Sequence, residues 1–250
     1  MGRILVMGDI HGAHRALIQC LERSEFNNKE DILIQLGDVV DGWSESFECV
    51  EELLKIKNLI SIKGNHDDWM QTWLTTGMHP VYWLHGGNAT LNSYRQNTMG
   101  HHDRALTSAD IPETHKQFFA KQKLYYRDHK NNIFVHGGFS KSAYLDYIEK
   151  FYPHDFYWDR DMWDAAMKYE DRKLHMKFVE DVNEVFIGHT ATVNYEKDDN
   201  PIMEPMHCAQ VWNVDTGAGW FGKLTIMDVN TKEYWQSDRS KDLYINEKGR

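Results

Sequence analysis

The chain of 250 residues predicts an α/β fold with a β-rich C-terminal half. Two patterns carry that expectation. In the first half, apolar runs of strand length alternate with stretches whose apolar residues recur at helical spacing, as parallel strands joined by crossover helices require. In the second half, short strand-like runs follow one another with tight turns between them. A third observation concerns chemistry: six of the apolar runs end directly in a loop that carries Asp, His or Asn.

Taken in order, Ile4-Leu5-Val6-Met7 leads into Gly8-Asp9-Ile10-His11-Gly12. A helix is expected next, because Ala13, Ala16, Leu17, Cys20 and Leu21 fall on one helical face. Ile32 to Leu36 leads into Gly37-Asp38-Val39-Val40-Asp41. Phe47, Val50, Leu53 and Leu54 mark a second helical face, and Leu59-Ile60-Ser61-Ile62 leads into Gly64-Asn65-His66-Asp67. The third helix is expected from near His66 through Trp69, Trp73 and Leu74, with Asp67 suited to capping it. Residues 75–130 hold Pro80 and Pro112, are rich in His, Asn, Thr and Tyr, and show little sustained periodicity. Short helices and loops are expected there, Ile111 to Gln122 being the best helical stretch. Ile133-Phe134-Val135 precedes His136-Gly137-Gly138, and residues 141–183 read as mostly helical. Strands are expected over 184–188, 209–214, 222–228 and 232–236; the first ends at Gly188-His189-Thr190 and the second at Asp215-Thr216-Gly217. Asp228 to Lys232 suits a hairpin turn, and the charged tail from Ser237 is expected to cover the surface.

Composition narrows the function classes. Apolar residues make up 41%, enough for a real core. A net charge of -10 argues against a protein that grips long nucleic acid through a basic face. The mean hydropathy of -0.64 and the lack of a long apolar run exclude a membrane-spanning segment. Three scattered cysteines without a C-x-x-C motif, with Cys20 and Cys49 on apolar helix faces, point to buried thiols in a reducing compartment. A cytoplasmic protein is therefore expected.

Asp, His and Asn delivered to the C-terminal edge of a sheet are ligands for divalent metals of borderline hardness. A single Asp-x-His or Gly-His-Thr is more often a turn or a satisfied core histidine. Six such junctions, each just after an apolar run, are hard to assign to chance.

The order GD-x-HG, GD-x-x-D, GNHD, HGG, GHT, DTG resembles the calcineurin-like metallophosphoesterases. Within them the chain looks most like the phosphoprotein-phosphatase branch and its small bacterial and phage members of lambda-phosphatase type. The similarity runs from Gly8 to about Gln236. It implies a two-sheet sandwich flanked by helices, one domain over 1–250, with residues 75–130 as an insertion over the cleft. It also implies two divalent metal ions, manganese first, with iron or zinc as alternatives. By this resemblance Asp9, His11 and Asp38 hold one ion, and Asp38, Asn65, His136 and His189 hold the other, with Asp38 as the bridge. Such a centre lowers the pKa of a water to make the hydroxide that attacks phosphorus. His66 is implied as the acid at the leaving oxygen, oriented by Asp41 and made easier to protonate. Arg160 and Asn65 are implied at the substrate phosphate, and Asp215 behind a metal-binding histidine.

Two positions depart from the pattern. The branch usually reads GD-x-x-DRG, its Arg gripping the phosphate; here Gly42 and Trp43 follow Asp41. Arg95 or Arg104 from the 75–130 region is a candidate substitute, and Trp43 a candidate stacking surface for a base or aryl group. Many diesterases read GH-x-H, where this chain has Ala191. His101-His102 is expected in a solvated loop.

The resulting expectation is a dinuclear metal-dependent phosphatase for phosphomonoesters, phosphoserine, phosphothreonine or phosphotyrosine in proteins among them. Its partner is then a phosphorylated protein or a small phosphoester. The alternative is the same chemistry on nucleotides: a dinucleoside-polyphosphate hydrolase, a cyclic-phosphate diesterase or an RNA-end phosphatase. A binding module that had lost catalysis should have shed ligands, whereas all six implied ligand positions keep suitable residues.

Overall fold

Parallel pairing of three strands organises the N-terminal half. The computed structural model describes residues 2–81, 83–99, 104–140, 144–172 and 177–250; His101 and His102 lie outside them. β1 (Ile4–Met7), β2 (Ile32–Gln35) and β3 (Leu59–Ser61) run parallel, linked by α1 (His14–Arg23) and α2 (Ser46–Leu54). α3 (Asn65–Thr76) leaves the end of β3. The βαβαβ reading of this half holds.

After α4 (Gly87–Met99) and α5 (Glu113–Lys121), β4 (Tyr125–Arg127) and β5 (Ile133–Val135) open a second sheet. α6 (Leu145–Phe151), α7 (Asp155–Trp158) and α8 (Asp161–Asp171) cover it, and β6 (Val185–Ile187) pairs parallel to β5. A short hairpin of β7 (Glu196–Lys197) and β8 (Asn200–Pro201) precedes β9 (Met206–Cys208) and β10 (Val211–Asn213). β11 (Thr225–Asp228) and β12 (Tyr234–Gln236) then return to the first sheet. The strand orders are β12-β11-β1-β2-β3 and β4-β5-β6-β10-β9. The Asp228 side chain makes the last hairpin turn by accepting the N–H groups of Asn230 and Thr231.

Alternation along the strands explains the layers. Leu5, Met7 and Leu33 point to the helices on the outer face of the first sheet, and Val6 and Ile34 point the other way. In the second sheet Ile133, Val135, Val185 and Ile187 meet its helices, while Phe134 and Phe186 point inward. The inward residues Val6, Ile34, Phe134, Phe186, Val214 and Met227 form one buried layer between the sheets. Strands buried on both faces read as continuous apolar runs, which is why the sequence announces them so clearly. The sandwich implied by the family resemblance is present.

The structure differs from the sequence reading in three places. α4 gives little periodic signal because three of the residues it buries, Gly87, Thr90 and Ser93, are small or polar where an apolar stripe would be expected. β4 and β9 are partly exposed edge strands, without the continuous apolar run that marks the buried ones. The tail from Ser237 forms α9 (Ser240–Leu243) and then folds back onto the loop after Asp41. There Tyr244 stacks on Trp43 at 4.9 Å, and Trp43 is only 1% exposed. Trp43 is therefore part of the core and is closed to a base or aryl group. Cys20 and Cys49 are buried as free thiols. Among the described residues no helix is long and apolar enough to cross a membrane.

Candidate metal centre

Six loops, after β1, β2, β3, β5, β6 and β10, deliver Asp9, Asp38, Asn65, His136, His189 and Asp215 to one end of the sandwich. The turns there are tight. His11, Asp38, Asp41 and His189 all have positive φ, at 51°, 53°, 70° and 66°. Left-handed backbone costs a non-glycine residue energy, and its clustering marks a place where side-chain aim outweighs local comfort. A Cβ on Gly64 would fall on Asp38 Oδ1, and one on Gly188 would fall on Asp9 Oδ1, so glycine is what lets the loops close on the carboxylates.

Two groups of potential ligand atoms result, His11–Asp38–His66 and Asp38–His136–His189, each within 4.8 Å. Asp38 belongs to both. His11 Nε2 lies 3.8 Å from Asp9 Oδ2 and 3.6 Å from Asp38 Oδ2. His136 Nε2 lies 3.4 Å from Asp38 Oδ2 and 3.2 Å from Asn65 Oδ1. His189 donates its backbone N–H to Asp9.

The chemistry of these atoms calls for a cation. His11 Nδ1–H donates to Asp41 O at 2.8 Å, and His136 Nδ1–H donates to Leu36 O at 2.8 Å. A carbonyl can only accept, so both rings are fixed with Nε2 toward the cluster, the usual orientation of a metal-binding histidine. Asp38 Oδ2 and His189 Nε2 are buried with no hydrogen-bond partner. Burial, with Asp215 and Asp38 beside it, raises the Asp9 carboxyl well above its ordinary value. Burial would raise Asp38 too, but His136, His66 and His11 hold it well below. Burial and then the Arg250 charge lower His11, and burial and then His136 lower His189. Crowded carboxylates and a buried imidazole nitrogen without a partner fit divalent cations of mixed N/O preference.

His66 has a different surrounding. It is 2% exposed, its backbone N–H donates to Asp38, and its Nδ1 meets Asp41 Oδ2 at 2.8 Å. Asp41 is fully buried and also accepts Trp83 Nε1–H and Thr90 Oγ1–H, both at 2.7 Å. Burial pushes Asp41 up to about 8 and pulls His66 down to about 3. The isolated imidazole is thus harder to protonate, contrary to the sequence expectation. If Asp41 keeps its proton, it donates to Nδ1, and the ring proton then sits on Nε2, on the cluster side. The Asp67 carboxylate caps α3 at Gly64 N and accepts Val39 N–H, a structural role.

A cavity of about 230 Å³ opens beside the cluster, lined by His11, Arg160, His189, Asp215, Trp220 and Arg250 among others. Arg160 Nη1 donates to His189 O and Thr190 Oγ1. Asp215 accepts Gly217 N–H at 3.0 Å and contributes its carboxyl to the cavity wall. Arg95 is exposed and Arg104 pairs with Asp110, so neither candidate substitute for the missing arginine lines this cavity. Sequence reasoning missed Trp83 and Thr90, which come from the aperiodic 75–130 stretch, and Arg250. It also missed Trp69, which packs against His66 at 4.7 Å and against the half-exposed Trp158 at 5.6 Å. Only the helical spacing of Trp69 to the GNHD motif hinted at its position.

The calcineurin-like phosphoesterase family profile matches residues 2–216. "Serine/threonine-protein phosphatase 1" of Salmonella typhimurium is 22% identical over 232 residues, 90% of this chain and 91% of that protein. The symmetrical bis(5'-nucleosyl)-tetraphosphatase of Pseudomonas fluorescens is 24% identical over 290 residues, 96% of this chain and 95% of its own. Among solved structures, a metallophosphoesterase from Sphaerobacter thermophilus superimposes with a TM-score of 0.56 at 17% identity, covering 97% of this chain and 91% of that one.

Proposed function

This chain belongs to the calcineurin-like phosphoesterase family, and from that premise we propose that it hydrolyses phosphomonoesters at a two-cation centre bridged by Asp38. The observation that carries the proposal is the shared membership of Asp38 in both ligand groups, with its Oδ2 buried and without a hydrogen-bond partner. Asp9, His11 and Asp38 would hold one cation; Asp38, Asn65, His136 and His189 would hold the other. The mixed N/O donors favour manganese, with iron or zinc as alternatives. When bound, the cations supply Lewis acidity and an acidified water.

The chain's own residues supply the rest. Arg160, its Nη1 anchored on the His189 loop, presents a planar guanidinium to phosphoryl oxygens at the cavity. Asn65 has an NH₂ left for the phosphate once its oxygen faces the cluster. His66 delivers the Nε2 proton to the leaving oxygen, and Asp41 holds a second proton against Nδ1. Trp83 and Thr90 fix Asp41, and Trp69 shields His66 from water. Asp215 adds negative charge behind the centre. On this reading residues 1–250 act as one catalytic domain, the 75–130 segment completing the acid, and buried free thiols suit the cytoplasm.

Phosphorylated proteins and small monoesters are the proposed substrates, in line with the phosphatase-named relative. Action on dinucleoside polyphosphates is the second reading, supported by the full-length likeness to a tetraphosphatase. The test is a Mn-loaded panel of aryl monoesters and diesters, phosphopeptides and dinucleoside tetraphosphates. Monoesters should lead in kcat/KM; a lead for diesters or dinucleotides would reject the proposal.

A further inference from the structure

The C-terminal segment is not a loose cover. Tyr244 stacks on Trp43 and hydrogen-bonds Glu45, while the Glu247 carboxylate accepts both the backbone N–H and the hydroxyl of Ser44. Arg250 donates its backbone N–H to Gly219 O at 2.8 Å. These contacts deliver one side chain to the cluster. Arg250 Nη1 lies 2.9 Å from His11 Nε2 and 3.9 Å from Asp38 Oδ2, and its guanidinium carbon sits 5.7 Å from the Trp220 ring centre.

The Arg250 side chain starts beside Gly42. Gly42 has φ +134°, and a Cβ there would stand 2.9 Å from His11 O and 3.7 Å from the Arg250 Cβ. The His11 carbonyl is what a side chain there would crowd, while the Arg250 Cβ stands at ordinary contact distance.

We propose that Arg250, with Arg160, forms a two-guanidinium clamp for a dianionic phosphoryl group, supplied from the far end of the chain. This rests on the phosphomonoesterase reading and sharpens its substrate class. Both guanidiniums line the same cavity of about 230 Å³, ample for a phosphoryl group. With Asp38 and the His11 Nε2 lone pair engaged by metal, the Arg250 guanidinium would give up both contacts and turn its donors to an anion in the cavity it shares with Arg160 and Trp220. A phosphomonoester carries two negative charges and three terminal oxygens; a diester offers one charge and two. Two planar forks reward the monoester.

A competing role is a plug, in which Arg250 occupies the cluster in place of a cation. Calorimetric titration of Mn-loaded protein with inorganic phosphate, and of metal-stripped protein with Mn²⁺, separates the two. The clamp predicts that Arg250→Gln weakens phosphate binding about ten- to a hundredfold and leaves Mn²⁺ affinity within about threefold. Arg250→Lys, which keeps the charge without the fork, should recover only part of the loss. Equal phosphate affinity in wild type and Arg250→Gln would overturn the clamp. So would tighter Mn²⁺ binding with phosphate binding untouched, the signature of a plug. If phosphate binding depends on Arg250 and the wild type nonetheless prefers diesters, the clamp stands and the monoesterase reading falls.

Discussion

Replacing Asp41 with Asn changes one atom in a fully buried side chain that meets two donors and the His66 ring. Asp41 Oδ2 touches both His66 Nδ1, at 2.8 Å, and Trp83 Nε1, at 2.7 Å, and Oδ1 accepts the Thr90 hydroxyl. An amide can take this place in two ways. With its oxygen at the Oδ2 position it satisfies the indole, but His66 must then donate from Nδ1, and Nε2 is left without the proton that the leaving oxygen needs. With its nitrogen there, His66 keeps the right tautomer, but the amide N–H opposes the indole N–H. A buried polar group without a partner costs roughly 1–3 kcal/mol. At about 1.36 kcal/mol per decade that is about five- to 150-fold in rate. His66→Asn, which removes the proposed acid itself, should cost roughly 10²–10⁴. Because the two residues act as one unit, the double variant should be no slower than His66→Asn alone, within about threefold. The assay is kcat for aryl phosphates of graded leaving-group pKa and for an alkyl phosphate, with metal content measured in each variant. The loss should be largest for the poorest leaving group. Additive losses, a loss independent of the leaving group, or loss of metal from His66→Asn would refute the acid assignment.

Gly42→Arg, the change that restores the family pattern, should fail to improve the enzyme. The backbone at φ +134° and the His11 carbonyl oppose any side chain there. The variant should lose about 1–3 kcal/mol, visible as a Tm lower by several degrees; an unchanged Tm with improved monoester turnover would contradict this. His115 should make stability pH-dependent. It is buried between Tyr94 Oη and Glu51, and burial, only partly offset by Glu51, lowers its pKa. Below about 6.5 the unfolded chain takes up the proton first, so stability falls as pH drops through that value. The Tm difference between about pH 7.5 and about pH 5.5 should be smaller in His115→Gln than in wild type; equal differences would exclude the effect.

The fold was legible where strands are buried on both faces and where helices carry an apolar stripe, as in β1, β2, β5, β6, α1 and α2. α4 escaped because Thr90 and Ser93 turn inward to serve Asp41 and Glu48 rather than to fill a core. The positions of Asp9, His11, Asp38, Asn65, His136 and His189 were legible because each follows a strand directly, and a strand end fixes direction. Trp83, Thr90 and Arg250 were not, since nothing in their local sequence marks the residue they meet. That Trp43 is closed to a ligand was not legible for the same reason. Its partner, Tyr244, lies 201 residues later, and only the folded chain brings the tail over the loop.

Elemental analysis of Mn-loaded protein, with Asp38→Ala alongside wild type, tests the central claim most directly. Asp38 is common to both ligand groups. The wild type should hold about two metal ions per chain, and Asp38→Ala should lose both along with phosphatase activity. Full activity at one metal or fewer, or an Asp38→Ala protein that keeps two, would contradict a centre bridged by this carboxylate.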